Sequence, residues 1–285
     1  MAGSTTTTLN DLLPAITAEA MFVANERSIM RGLVRNFALP MSQGKTVTVP
    51  IYPAQTAAAL TEGNELDNTA VSTNGATLTV STVGIRTIVT DLAVASSASN
   101  VVSDLGRLFG EAIARKIDGD LLALFSGFTG ITAGGASTAL SAAVVAQAVA
   151  KLRANAVPQD ALACVVHPYV AYDLKKDLTN TFANPNAGVI QNEAMQMGYV
   201  GTLFGVPVFE SSNIANTGTA GDYVGAVFHR DALGLAMIGD INIEAQRRAS
   251  YVGQDVVASA HYGVGELYDG YGCAITSDSS LVDPA

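Results

Sequence analysis

Two stretches of alternating residues enclose a long run with no core pattern, and this arrangement constrains the fold more than any other feature of the chain. Lys45 to Ile51 reads KTVTVPI, polar and apolar in turn, the period of a half-buried strand. Ala76 to Leu92 returns to β-branched text, ATLTVSTVGIRTIVTDL. Between them, Tyr52 to Gly75 holds small and polar residues with neither helical nor strand periodicity. Structureless connections longer than roughly 12–15 residues are uncommon inside a compact domain and are as a rule functional or mobile. The expectation is a long hairpin-like arm. Such an arm gains nothing from its own core, so it needs another chain to rest on.

The remaining text is of mixed type. Residues 2–8 are small and polar and read as a frayed end. Asp11 to Phe37 carries Leu12, Leu13, Ile16, Ala20, Val23, Met30 and Val34 partly on a helical period, which predicts an amphipathic helix. Within it Arg27, Arg31 and Arg35 recur every fourth residue and would form one cationic stripe. That stripe is either a solvated face or one that meets acidic groups of a neighbouring chain. Asn100 to Phe128 predicts a long helix with Val102, Leu105, Phe109, Ala112, Ile113, Ile117 and Leu121 on one face. Gly106, Gly110 and Gly119 lower its propensity and point to close approach by another element. Gly127 to Gly135 reads as a break. Helices at 141–156 and 170–178 then alternate with short apolar strands at 161–166, 205–210 and 223–229, the pattern of an α/β unit. Asn180 to Gly198 reads as a polar loop, and strands are expected at 241–245, 256–262 and 270–275.

Composition closes off several classes. Apolar residues make up 49% of the 285 positions, too many for a disordered chain. No apolar run reaches the roughly 18 residues of a membrane span, and the start lacks the pattern of a secretory signal. The expectation is a soluble chain made in the cytoplasm. Net charge is −10, without a clustered basic patch; the densest cation groups are Lys175-Lys176 and Arg247-Arg248. This argues against direct nucleic-acid binding and is compatible with enclosing DNA without adhering to it. Cys164 sits in the apolar run ALACVV and reads as a core residue, and two distant cysteines make no disulfide framework. Phosphate-loop, nucleophile-elbow, zinc-protease and dinucleotide fingerprints are not found. His167, His229 and His261 lie singly near strand ends and read as structural. The carboxylate pairs Asp118/Asp120 and Glu62/Glu65 read as solvated surface. No catalytic residue, metal ligand or cofactor is expected.

One run is more specific. Gly201 to Ile214 reads GTLFGVPVFESSNI, followed by AVFHRDALGLA at 226–236, a strand with Glu244 and Arg247, and YGVGELYDGYGCAI at 262–275. In order and spacing, behind a long helix and a long polar arm, these pieces resemble the major capsid proteins of tailed bacteriophages with the HK97-type fold. The resemblance covers most of the chain. It implies a mixed α+β fold divided into an N-terminal arm (1–40), an extended loop with its strands (41–92), a peripheral domain with a spine helix (93–134), an axial domain (135–234), peripheral strands (235–266), and a last axial strand with the C-terminal tail (267–285).

It further implies a structural subunit that self-assembles as hexamers and pentamers into an icosahedral virion shell around double-stranded DNA, without sequence-specific DNA contacts and without a membrane. Separate scaffolding, portal and decoration proteins are expected partners. Some members cross-link their shells through a loop lysine; Tyr52 to Gly75 holds none, so that chemistry is not expected. The candidate inter-subunit contacts are Glu62, Glu65 and Asp67 on the loop, against Arg107, Arg115 and Lys116 on the spine helix or the Arg27, Arg31 and Arg35 stripe. Two other readings stay open: an encapsulin-like nanocompartment of the same fold, and a soluble enzyme with an unrecognised site.

Overall fold

The computed structural model describes residues 28–40, 44–52, 57, 59, 73–92, 101–181, 201–217 and 221–281. Two sheets and a hairpin carry the architecture. A five-stranded sheet runs in the order β1 (Arg35–Leu39), β10 (Leu233–Ile238), β12 (Gly253–Glu266), β11 (Asn242–Arg248), with β4 (Ser81–Thr90) on the other edge of β12. A six-stranded sheet has the order β5 (Thr132–Ala139), β13 (Gly272–Asp278), β9 (Asp222–His229), β6 (Leu162–Val166), β8 (Val206–Glu210), β7 (Thr202–Leu203). The hairpin pairs β2 (Thr46–Ile51) with β3 (Asn74–Thr79) in antiparallel register, Val47 opposite Leu78 and Ile51 opposite Asn74. These are the two strands expected to flank the polar run.

The hairpin seats on the five-stranded sheet. Leu78 and Val49 form a small core with Leu39, Val80, Ala236 and Leu267. The approach is close: a Cβ at Gly263 would lie 2.3 Å from the Thr79 carbonyl oxygen, so only glycine lets β3 meet β12 there.

The N-terminal helical expectation is corrected where the chain is described. A single turn, α1 (Met30–Leu33), is followed at Val34 by extended backbone and then by β1. β1 pairs in parallel with β10, from Arg35 opposite Gly234 to Leu39 opposite Ile238. Ladder pairing and the period-two burial of Phe37 and Leu39 outweigh a helical period that those residues also satisfy.

The long helix α2 (Val101–Ala123) tightens into a 3₁₀ turn over Leu124–Gly127. Phe109, Ile113, Ile117 and Leu121 are buried on the expected stripe. At Gly119 the expected close approach does not occur, since a Cβ there would meet nothing within 4 Å. The Gly127–Gly135 break is shorter than expected, because β5 begins at Thr132 and pairs in parallel with β13. Helices α3 (Ala142–Ala154) and α4 (Pro168–Thr181) pack with the six-stranded sheet in one apolar cluster. β6 is buried at every position, the signature of a strand covered on both faces.

Candidate assembly surface

The two cysteines and three histidines make their contacts within the fold. Cys164 and Cys273 are both fully buried. Burial pushes the Cys164 thiol up to about 12 and the Cys273 thiol to about 11, which keeps both in the unreactive protonated form. His167 stacks on Tyr223 with ring centroids 3.9 Å apart. His229 Nδ1 accepts from the Asp231 N–H at 3.2 Å, and His261 Nδ1 lies 2.9 Å from Thr82 Oγ1. Among the described residues no three or more His, Cys, Asp or Glu side chains gather as a metal site.

The Asp118/Asp120 pair is not solvated surface. Asp118 is 2% exposed and accepts from Ser28 Oγ at 2.7 Å and the Ile29 N–H at 2.9 Å, pinning the chain ahead of α1 to the middle of α2. Burial pulls its carboxyl upward, and those donors pull it back only in part. Asp120 accepts from Tyr262 Oη at 2.7 Å and binds Lys116 Nζ at 2.7 Å, tying α2 to β12. Burial and the Asp120 contact both hold the Tyr262 hydroxyl in its protonated form.

The expected contact residues fall into three groups. Glu62, Glu65, Asp67 and Arg27 lie outside the described residues. Arg31 and Arg35 share no helical stripe, because Arg35 belongs to β1; its guanidinium pairs with Asp231 at 3.4 Å and lies 5.3 Å from the Phe37 ring. On α2, Arg107 and Lys116 engage Glu111 and Asp120 four residues on. Arg115 is exposed and makes no ion pair among the described residues. It continues a solvent-facing ridge with Arg107, Glu111 and Leu108, which is 59% exposed.

A second surface was not anticipated from sequence. At one end of the β4–β12–β11 blade, Asp91 receives both Arg247 amino groups at 2.6 and 2.7 Å. Beside them Leu92, Tyr251 and Val252 are 77%, 55% and 63% exposed. Arg86 binds Asp255 through Nε at 2.7 Å, Arg248 lies 3.5 Å from the same carboxylate, and Arg248 also covers the Tyr251 ring. These cations hold Asp91 and Asp255 below the usual carboxylate range. The Arg247-Arg248 pair was visible in the sequence. Its acidic partners are 156 residues away for Asp91 and lie across a turn for Asp255, so no local pattern could assign them.

A family description of phage capsid proteins matches residues 73–275. The chain belongs to the phage capsid protein family. The match begins at the hairpin's second strand and ends within β13, taking in α2 and the strands of both sheets except β1. Solved capsids share the fold of this capsid protein. The capsid of cyanophage P-SCSP1u superposes with a TM-score of 0.69 at 20% identity, covering 89% of each chain. A chain of Mycobacterium phage Che8 gives 0.65 at 20% identity, covering 82% of this chain and 85% of that one. The holo-SrpI encapsulin complex from Synechococcus elongatus gives 0.64 at 12% identity, covering 90% and 89%. No curated protein sequence matches. The fold is therefore the α+β HK97-type capsid fold, and the chain is a structural subunit of a many-copy virion shell.

Proposed function

We propose that this capsid protein assembles as hexamers and pentamers into the icosahedral shell that encloses the double-stranded DNA genome of a tailed bacteriophage, with no catalytic role. The family match across 73–275 carries the reading. The net charge of −10 supports enclosure without adhesion to DNA. Synthesis occurs in the host cytoplasm, and scaffolding, portal and decoration proteins are separate chains. Residues 1–40 act as an arm and 41–92 as an extended loop. Residues 93–134 and 235–266 form the peripheral domain, and 135–234 with 267–285 the axial domain. The crossing of the chain between a five-stranded and a six-stranded sheet supports that division.

The loop acids Glu62, Glu65 and Asp67 meet the Arg115 ridge of a neighbouring subunit, because Arg35, Arg107 and Lys116 already have partners in their own chain. Each exposed pair contributes only about 0–1 kcal/mol, so such pairs set register more than strength. Electron microscopy of the purified chain, alone and with a scaffolding protein, tests the assembly. Closed shells or rings of five and six support it; a persistent monomer or dimer sinks it. Glu62→Lys with Glu65→Lys lowers shell yield at low salt, and an unchanged yield refutes the loop contact.

The likeness to the encapsulin structure favours one second reading, a compartment that holds protein cargo. Particle contents separate the two: packaged DNA supports the phage shell, and a co-purifying enzyme the compartment.

A further inference from the structure

The five-stranded sheet ends on one side in β4, ten residues long, whose one ladder partner among the described strands is β12. The ladder fixes which way the backbone groups of β4 point. In an antiparallel pair, opposed residues alternate between those that exchange hydrogen bonds and those that turn their N–H and C=O away from the partner. The Asp91 N–H donates to the Val252 carbonyl at 3.0 Å. From there the register runs without a shift, from Thr90 opposite Gly253 to Ser81 opposite Tyr262. The odd-numbered residues of β4 therefore bond to β12, and Thr82, Gly84, Arg86 and Ile88 turn their N–H and C=O groups outward. The close approach expected of non-bonded pairs agrees. Thr82 Oγ1 lies 2.9 Å from Nδ1 of His261 opposite it, and a Cβ at Gly253 would lie 2.9 Å from the Thr90 Cα.

Such an edge is a template for another strand, and an edge that is not used is normally guarded. The other edges of the two sheets are guarded or short. β11 carries Glu244, Arg247 and Arg248 among seven residues. β1 and β7 are five and two residues long. β5 shifts register against β13 and holds Gly134 and Ser137 at positive φ. β4 has none of these devices. It contains no proline, and its single charge, Arg86, is drawn onto Asp255 at 2.7 Å.

The chain carries a segment that suits this edge. An edge offers main-chain groups, so it selects a partner by its extended backbone, with side-chain pattern secondary. The run between β2 and β3 has no core pattern of its own, and residues 54–73 contain no proline. These twenty residues are twice the length of β4. The run does not start out toward the β4 edge of its own chain. β3 continues the line of β4 along β12, with Thr79 against Gly263 and Leu78 against Gly265, and so carries the run beyond the Ser81 end. In a shell of many copies, the edge it meets is a neighbour's.

We propose that the outer edge of β4 accepts the 54–73 run of a second copy as an added strand, so that each subunit extends its neighbour's five-stranded sheet. The proposal rests on the shell reading and states how the loop is held. α2, which carries the Arg115 ridge, packs against β4. Main-chain bonds along the edge supply the strength that exposed ion pairs lack.

A cysteine scan on the full chain tests it. One variant carries Ile88→Cys, and a second carries one cysteine at each position from Ala54 to Thr73 in turn. The two are mixed before assembly and mildly oxidised, and disulfide-linked heterodimers are measured. Cys164 and Cys273 are buried and do not compete. Successive side chains of a strand face opposite ways, so the yield should alternate with period two over several loop positions. No heterodimer, or a yield without alternation, overturns the proposal. A second comparison removes one outward donor. Arg86→Thr and Arg86→Pro both lose the Asp255 pair, but only proline removes the N–H, and residue 86 gives no bond to the β12 ladder. Heterodimer yield should fall at least tenfold in Arg86→Pro relative to Arg86→Thr, and equal yields overturn the added strand. The scan stands whether or not Arg86→Pro folds. Shells without heterodimers sink the strand and leave the capsid reading; heterodimers without shells do the reverse, and absence of both sinks both.

Discussion

In the six-stranded sheet, β6 is buried at all five positions and β9 at seven of eight. In the five-stranded sheet, β4 has no buried residue and β11 has one, Ile243. The first sheet is completed by its own chain, with α3 and α4 in the same apolar cluster. The second packs α2 against β4 and β12, carries the hairpin on β10 and β12, and holds the surface ion pairs Arg86 with Asp255 and Arg247 with Asp91 beside exposed Leu92, Tyr251 and Val252. One region stores stability as burial. The outer strands of the other, β4 and β11, store little and keep their surface available, which in the proposed shell is where neighbouring subunits lie.

The largest expected effect falls on the first sheet. Phe228 is fully buried, 5.3 Å from the Phe125 ring. Phe228→Ala should destabilise the chain by about 3–5 kcal/mol, read by denaturant unfolding. A loss below about 1 kcal/mol would break the contrast between a buried and an open sheet. Asp118→Ala comes next. It leaves the Ser28 hydroxyl and the Ile29 N–H without their acceptor, at a cost of about 1–3 kcal/mol, and exchange at Ile29 should rise before global unfolding.

A smaller effect of opposite sign is expected at the tip of the blade. Val252 is a β-branched residue at φ 45°, in the left-handed region. Val252→Gly should stabilise the isolated chain by about 1 kcal/mol, seen as a higher Tm. The smallest effect is expected at the surface ion pairs. Arg247→Gln should leave the Tm of the isolated chain nearly unchanged. Asp91 and Asp255 are held low by their arginines, so their contribution is present above the unfolded carboxylate value and is lost as pH falls through the folded value. Acid titration followed by exchange should therefore loosen the β4–β11–β12 blade before the six-stranded sheet. Simultaneous loss in both would remove the distinction.

Much of this was legible in the residues themselves. The α2 stripe, the buried run around Cys164 and the strands flanking the polar loop follow from periodicity, because a single element must bury one face wherever it packs. Parallel pairing with β10 turned 35–39 from helix to strand, and the same kind of long-range ladder made a strand of 132–139. Asp118 looked like surface because its partners, Ser28 and Ile29, stand 90 and 89 residues away. The blade's acids were missed for the same reason.

The sequence by itself determined the type of the strongly periodic elements and the capsid family resemblance, since both are written in local spacing and residue order. Only the tertiary structure decided which charges are internal and which are left over. It paired Arg35 with Asp231 and Arg247 with Asp91, and it set the Asp269 carboxylate against the Thr129 and Gly130 N–H groups where distant segments cross. Hydrophobic period reports which way a side chain faces, but a charge is defined by what stands opposite it, and that depends on contacts closed only when the whole chain has folded.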